Sequence, residues 1–164
     1  MADKEATVYV VDLGESMADC HSGRDESDLD FGMRYVWDKI STTVAASRKT
    51  WTVGVVGLNT EDTDNAQASS LEGYEHISVL QEIGPMTLTS LRDLRSSIQP
   101  SQTADGDAIS AVVVALDMIE RFTKKLKYNR RIILVTNAES PIDDELSEEV
   151  ANRLNDSNVE LVVM

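Results

Sequence analysis

A chain of 164 residues, 41% of them hydrophobic, is long enough to bury one core and too short for two domains of ordinary size. The 29 acidic against 15 basic residues leave a formal charge of −14, so the mean field repels nucleic acid and any affinity for it has to come from a local feature. A single cysteine excludes an internal disulfide framework and suits a reducing compartment, and no apolar run approaches the ~20 residues that a bilayer-crossing helix needs.

Met1-Ala2-Asp3-Lys4-Glu5 runs straight into an apolar segment with no basic flank or cleavage-like site, so no secretory leader is expected. Thr7 to Val11 is β-branched and nearly continuously apolar, closed by Asp12-Leu13-Gly14, and predicts a central strand buried on both faces. Cys20-His21 lacks the second pair of ligands that a metal site requires. From Asp30 the spacing becomes that of an amphipathic helix, with Met33, Val36, Trp37, Ile40 and Val44 on one stripe, ending near Arg48-Lys49. Thr52 to Leu58 predicts a second buried strand, and the alternating Ile77 to Ile83 an edge strand. The polar stretch from Asn59 to Gly73 between them is longer than most connections, as function-bearing loops often are.

Leu88, Leu91, Leu94 and Ile98 stripe a short helix that stops before Pro100. Ala108 to Ile119, apolar on nearly every face behind Asp105-Gly106-Asp107, predicts a buried helix. Arg131 to Thr136 reads as a third core strand, Asp143 to Asn155 as a helix with Leu146, Val150 and Leu154 inside, and Val159 to Val163 as a last strand. Trp37 and Trp51 read as core or partly covered anchors. Acidic runs at Asp25, Glu26, Asp28 and Asp30, at Glu61, Asp62 and Asp64, and from Asp143 to Glu149 read as solvated loops and helix starts.

Strands alternating with helices predict an α/β fold of three layers: a mostly parallel twisted sheet, one antiparallel edge strand, and helices on both faces. Ligands of such sheets meet the carboxyl ends of the strands where the strand order reverses, here the turn after Val11. Asp12-Leu13-Gly14-Glu15-Ser16 puts an acid and a hydroxyl there. That turn resembles a von Willebrand A domain, whose Asp-x-Ser-x-Ser turn, loop threonine and later aspartate imply a magnesium ion. Only a degenerate remnant is present: Asp12 and Ser16 match, Gly14 replaces a hydroxyl, Thr103 stands in for the threonine, and Asn137 takes the place of the aspartate. The expectation is no metal and no cofactor, with Asp12 capping its own turn and Gly14 relieving a crowded bend.

More specific motifs follow. Leu58-Asn59-Thr60-Glu61-Asp62-Thr63-Asp64-Asn65, Tyr74, Ile77-Ser78-Val79, Ser97-Ile98-Gln99-Pro100-Ser101-Gln102, Asp107 and Ala115-Leu116-Asp117-Met118-Ile119 occur in that order. Together they resemble the amino-terminal domain of the larger subunit of Ku, the heterodimer that threads onto broken DNA ends. The resemblance implies double-strand break repair by non-homologous end joining, telomere maintenance and a nuclear location. It also implies pairing with the smaller Ku subunit, and recruitment of short peptide motifs from repair, telomere or silencing proteins. DNA ends are encircled in that family by a β-barrel ring absent from this chain, and no membrane is implied. Residues 1–164 are thus expected to be a single domain, a fragment of a longer chain.

By position in the family, a partner-peptide groove is lined by Leu71, Tyr74, Asp107, Ser110, Val113 and Val114, with Ser110 standing where an acid is common. An aromatic and aliphatic anchor flanked by acid suits a basic, hydrophobic peptide, although Val113 and Val114 equally suit a core. Lys124, Lys125 and Lys127 are candidate phosphate contacts, or else answer the negative end of a helix dipole.

No Gly-x-x-x-x-Gly-Lys-Ser/Thr phosphate loop occurs. Ser16, His21 and His76 lack recognisable partners for nucleophilic catalysis, and a receiver domain's acidic pair and late lysine are missing. Two rival readings remain: a metal-dependent von Willebrand A adhesion or receptor-type domain, and a direct nucleic-acid binder.

Overall fold

The computed structural model describes residues 4–164, so the expectation resting on Met1-Ala2-Asp3 lies outside the described residues. The strands are β1 (Glu5–Asp12), β2 (Trp51–Leu58), β3 (Ile77–Pro85), β4 (Asn129–Val135) and β5 (Val159–Val163), in one sheet of order β3-β2-β1-β4-β5. β1 runs parallel to β2 and β4, β4 parallel to β5, and β3 lies antiparallel to β2 at the edge. The expected α/β class and antiparallel edge strand are therefore found, with β1 at the centre where the strand order reverses. The helices are α1 (Asp28–Ala45), α2 (Leu88–Ser97), α3 (Ala108–Thr123) and α4 (Ser147–Asp156), with a short 3-10 turn at Glu15–Ala18.

Alternation along the buried strands divides their apolar side chains between two cores. Val8, Val10, Val56, Leu58, Ile132 and Leu134 meet α3 and α4 on one face. Tyr9, Val11, Val53, Val55, Ile133 and Val135 meet α1 and α2 on the other. Three helices begin on side-chain caps: Ser27 accepts from Asp30 N, Thr87 from Ser90 N, and Asp107 from Ser110 N. Gly32 lets α1 press onto β4, since a Cβ there would lie 2.5 Å from Val135 Cγ1.

Several local expectations are corrected. α1 stops at Ala45 rather than near Arg48-Lys49, because the chain must turn back into β2, with Ser47 at a φ of 52°. Leu88 opens α2 but is exposed at 71%, so the buried stripe starts later. α4 begins at Ser147, not Asp143, and Leu146 is exposed: Asp143 N donates to Asp107 Oδ1, and that tether holds the segment off the helix. The Asn59 to Gly73 loop is well tied. Asp64 bridges to Ser78, and Asn65 Nδ2 donates to the carbonyls of Tyr74 and Ile77. Trp37 and Trp51 are partly covered, each beneath a guanidinium, Arg95 and Arg48 respectively.

Candidate functional site

Asp12 ends the central strand with no exposed surface, and both its oxygens are taken. Oδ1 accepts from Gly14 N and from Asn59 Nδ2, each at 2.9 Å, and Oδ2 accepts from Thr136 Oγ1 at 2.7 Å. A Cβ on Gly14 would lie 3.0 Å from Asn59 Nδ2 and 3.1 Å from Asp12 Oδ1, so a larger residue would make these neighbours give by a few tenths of an ångström. Asn59, fully buried at a φ of 59°, also donates to Ser140 Oγ and accepts from Gly106 N, joining three loops at the sheet edge. Its importance went unread in the sequence; the signal was a short amide directly after a buried strand, a residue type that tolerates the left-handed region.

The von Willebrand A resemblance implies a divalent cation at this turn, and the donor set does not fit one. Hard cations need free oxygens. Here Asp12 faces N–H and O–H donors, and Gly14 supplies no hydroxyl. The Thr103 hydroxyl is turned to Asp105, accepting from its N–H at 3.2 Å. Asn137 accepts from Ser16 Oγ at 3.2 Å through its oxygen, while its NH2 donates to Ser16 O and Asp28 Oδ2.

Asp28 is the second feature that sequence reasoning missed, having been placed in a solvated acidic run. It is 8% exposed and meets His21 Nδ1 at 2.6 Å, Asn137 Nδ2 at 3.2 Å and the Arg24 guanidinium. His21, expected to be unpartnered, thus has an acid at the first residue of α1, and its Nε2 lies 3.5 Å from Glu139 Oε1. No nucleophile completes the pair, because Ser16 Oγ bonds to Asn137.

The Asp28 hydrogen bond and charge raise the His21 imidazole above 6.5. Burial pushes the Asp28 carboxyl up, but hydrogen bonds from His21 and Asn137 and the charges of His21 and Arg24 outweigh it and hold the group below its usual range. A group raised on folding stabilises fully below its unfolded value and stops doing so as pH climbs through the folded one. A lowered carboxyl stabilises above its unfolded value and stops as pH falls through the folded one. The cluster therefore acts at full strength between the ordinary carboxylate range and about pH 6. The Tm gap between wild type and His21→Gln is expected to be widest near about pH 5.5 and to close toward about pH 8.5. A gap constant across that range would show that the imidazole's charge plays no part.

On the other face, four of the resemblance-derived groove residues belong to α3: Asp107 caps it, and Ser110, Val113 and Val114 lie within it. Tyr74 is partly buried and packs on the core beside Ile109 and Val113. Burial raises its phenol, Arg153 opposes that, and the charges of Asp107, Glu149 and Asp117 reinforce it. Leu71 is exposed at 55%. Asp107 spends one oxygen on capping α3 and the other on tethering Asp143, so it offers the groove charge rather than an open acceptor. Ser110 is half-buried on the same turn. Val114 is corrected: at 1% exposure it points into the core and lines no groove. Arg153 of α4 reaches Glu120 Oε2 at 2.5 Å and Asp117 Oδ1 at 3.6 Å, fixing α4 alongside. Lys124, Lys125 and Lys127 lie at the opposite end of α3, beyond its last residue Thr123.

A three-layer α/β sheet of order β3-β2-β1-β4-β5, with an acid and a hydroxyl in the turn after the central strand, defines a von Willebrand A-type domain. The crystal structure of the SpRpn10 VWA domain matches at a TM-score of 0.69 and 12% identity, covering 98% of this chain and 74% of that one. That of the conserved hypothetical protein BatB from Bacteroides thetaiotaomicron matches at 0.63 and 17%, covering 97% and 65%. The chain belongs to the Ku70/Ku80 N-terminal alpha/beta domain family, which it matches over residues 6–162.

Similar proteins, each named ATP-dependent DNA helicase II subunit 2, occur in Chaetomium globosum at 84% identity and Neurospora crassa at 72%, both across the whole chain. Another in Schizosaccharomyces pombe is 43% identical over 87% of the chain. The chain spans 22%, 23% and 20% of these relatives, respectively. The family's amino-terminal domain is non-catalytic, and the helicase of those names is said of much longer proteins. Among the described residues no helix is long and apolar enough to cross a membrane.

Proposed function

We propose that this domain is a protein-interaction module of the larger Ku subunit. In this reading its α3 groove holds short basic, partly aliphatic peptide motifs of repair, telomere or silencing factors. The parent protein, paired with the smaller subunit in the nucleus, holds DNA double-strand breaks through a ring outside this chain, and the module recruits factors for end joining and telomere maintenance. The donor set at Asp12, which does not fit a cation, belongs to the same reading: the turn is a hydrogen-bonded scaffold, and recognition falls to the surface.

The observation that carries it is Tyr74, a partly buried ring packed against the same apolar cluster as Ile109 and Val113 of α3, within electrostatic reach of Asp107, Glu149 and Asp117 as well as of Arg153. An aromatic anchor with several carboxylates within electrostatic reach is what a cationic, hydrophobic peptide binds. In a fluorescence-polarisation titration with a labelled peptide bearing two arginines ahead of a leucine-phenylalanine pair, Tyr74→Ala is expected to weaken binding about tenfold, roughly 1.4 kcal/mol. Unchanged affinity would remove Tyr74 from the site and the reading with it.

A further inference from the structure

At the amino-terminal edge of the sheet the charge reverses. The segment Lys124–Tyr128, which joins α3 to β4, opens with Lys124 at φ 48° and ψ −123°, a region that side-chain-bearing residues seldom occupy. Arg130 holds it there: one guanidinium nitrogen donates to Ser157 O at 2.7 Å, the other to Lys124 O at 3.1 Å and Leu126 O at 3.3 Å. Arg130 thus answers the negative ends of both α3 and α4, and the lysines are not needed for that purpose.

They instead surround an open cleft of about 520 Å³ lined by Lys4, Lys125, Lys127, Leu126, Tyr128 and Asn158 among others. Every ion pair among the described residues uses arginine or histidine, so these lysines are without acidic partners there. Leu126 is exposed at 55% and Phe122 at 36%, the latter edge-on to Tyr128. Cationic heads and apolar surface are thus held together by a clamped loop, on a molecule whose net charge is −14.

We infer that this cleft docks a short acidic peptide segment carrying an apolar residue, supplied by a partner protein. A nucleic-acid backbone fits less well, because it needs cations along a continuous track. The next cleft on the same edge is lined by Glu5 and Glu160, and Glu160 neutralises Arg131 at 2.6 Å, which interrupts the track. A short acidic segment stays within the Debye length of ~8 Å around the lysines and is spared the acid elsewhere. Apolar contact with Leu126 and Tyr128 in the cleft gives such a segment a hold that a phosphodiester chain cannot use.

The test is fluorescence polarisation of the 164-residue chain with a labelled glutamate-rich peptide carrying two leucines, beside a labelled DNA duplex. The peptide is expected to bind, to weaken as salt rises from about 0.05 M to about 0.3 M, and to lose about tenfold in affinity in the Lys124→Glu, Lys125→Glu, Lys127→Glu triple variant. The Lys125→Glu, Lys127→Glu pair, which leaves the strained Lys124 backbone alone, is expected to lose most of that affinity with an unchanged Tm. Tyr74→Ala is expected to leave this binding intact, separating it from the α3 groove. No binding by the wild-type chain, peptide binding indifferent to both variants, or tighter duplex binding lost in the same variants would each overturn the inference.

Discussion

Replacing Asp12 by alanine is expected to destabilise the domain by ~3–5 kcal/mol, a large share of the ~5–15 kcal/mol by which folded domains exceed their unfolded chains. Three donors converge on this fully buried carboxylate, from Gly14, Asn59 and Thr136. Its loss leaves each of them unpaired, at about 1–3 kcal/mol apiece less what water recovers. For a domain of this size that lowers Tm by about 10 °C, readable by calorimetry or urea unfolding. Asn59→Ala is expected to cost much less in the Asp12→Ala background than in the wild type, since the two share a bond. Millimolar magnesium is expected to leave the wild-type midpoint where it is. A rise in the wild type that Asp12→Ala abolishes would show the carboxylate to be a metal ligand after all.

Val114→Asp is expected to abolish folding, whereas Val113→Asp, one position earlier, leaves a folded domain. Val114 is 1% exposed among Val10, Leu116 and Ile119 in the larger apolar cluster, with no polar partner within it. A carboxylate there is buried and unpaired, which costs about 4 kcal/mol or more and falls in the diagnostic tail of single-mutant effects. Val113 sits at the cluster's margin and can turn a carboxylate to water, so about 1 kcal/mol or less is expected. Circular dichroism and thermal melts of the two variants decide the matter. Equal loss of structure in both would mean that α3 is rotated from the orientation described and that the groove has no outer wall.

The Asp107 end of the proposed groove and the lysine cleft share an organising helix. α3 begins at its cap Asp107 on an acidic carboxyl edge and ends at the cationic loop of the amino edge, so one element carries a surface of each sign at its two ends. Its interior face is almost wholly aliphatic, which lets it bear against β1, β2 and β4. Rigid placement of this kind lowers the ordering cost of recognition.

Local pattern by itself determined much. The β-branched run of Thr7–Val11 specified a doubly buried central strand, the alternation of Ile77–Ile83 an edge strand, and the vacant hydroxyl at Gly14 a turn poor in cation ligands. The ordered motifs from Leu58 to Ile119 pointed to the family that the chain belongs to. Periodicity and turn chemistry act over a few residues, and these features are local.

What only the tertiary structure decided joins residues far apart in the chain. Asn59 meets Asp12 across 47 positions and Asn137 meets Asp28 across 109, and no local spacing encodes either meeting. The rotation of α3 was illegible for a different reason: a helix apolar on nearly every face has no stripe to orient it, so the surrounding sheet sets Val114 inward and Val113 outward. The start of α4 was misread because a distant tether to Asp107 overrode the local preference for helix.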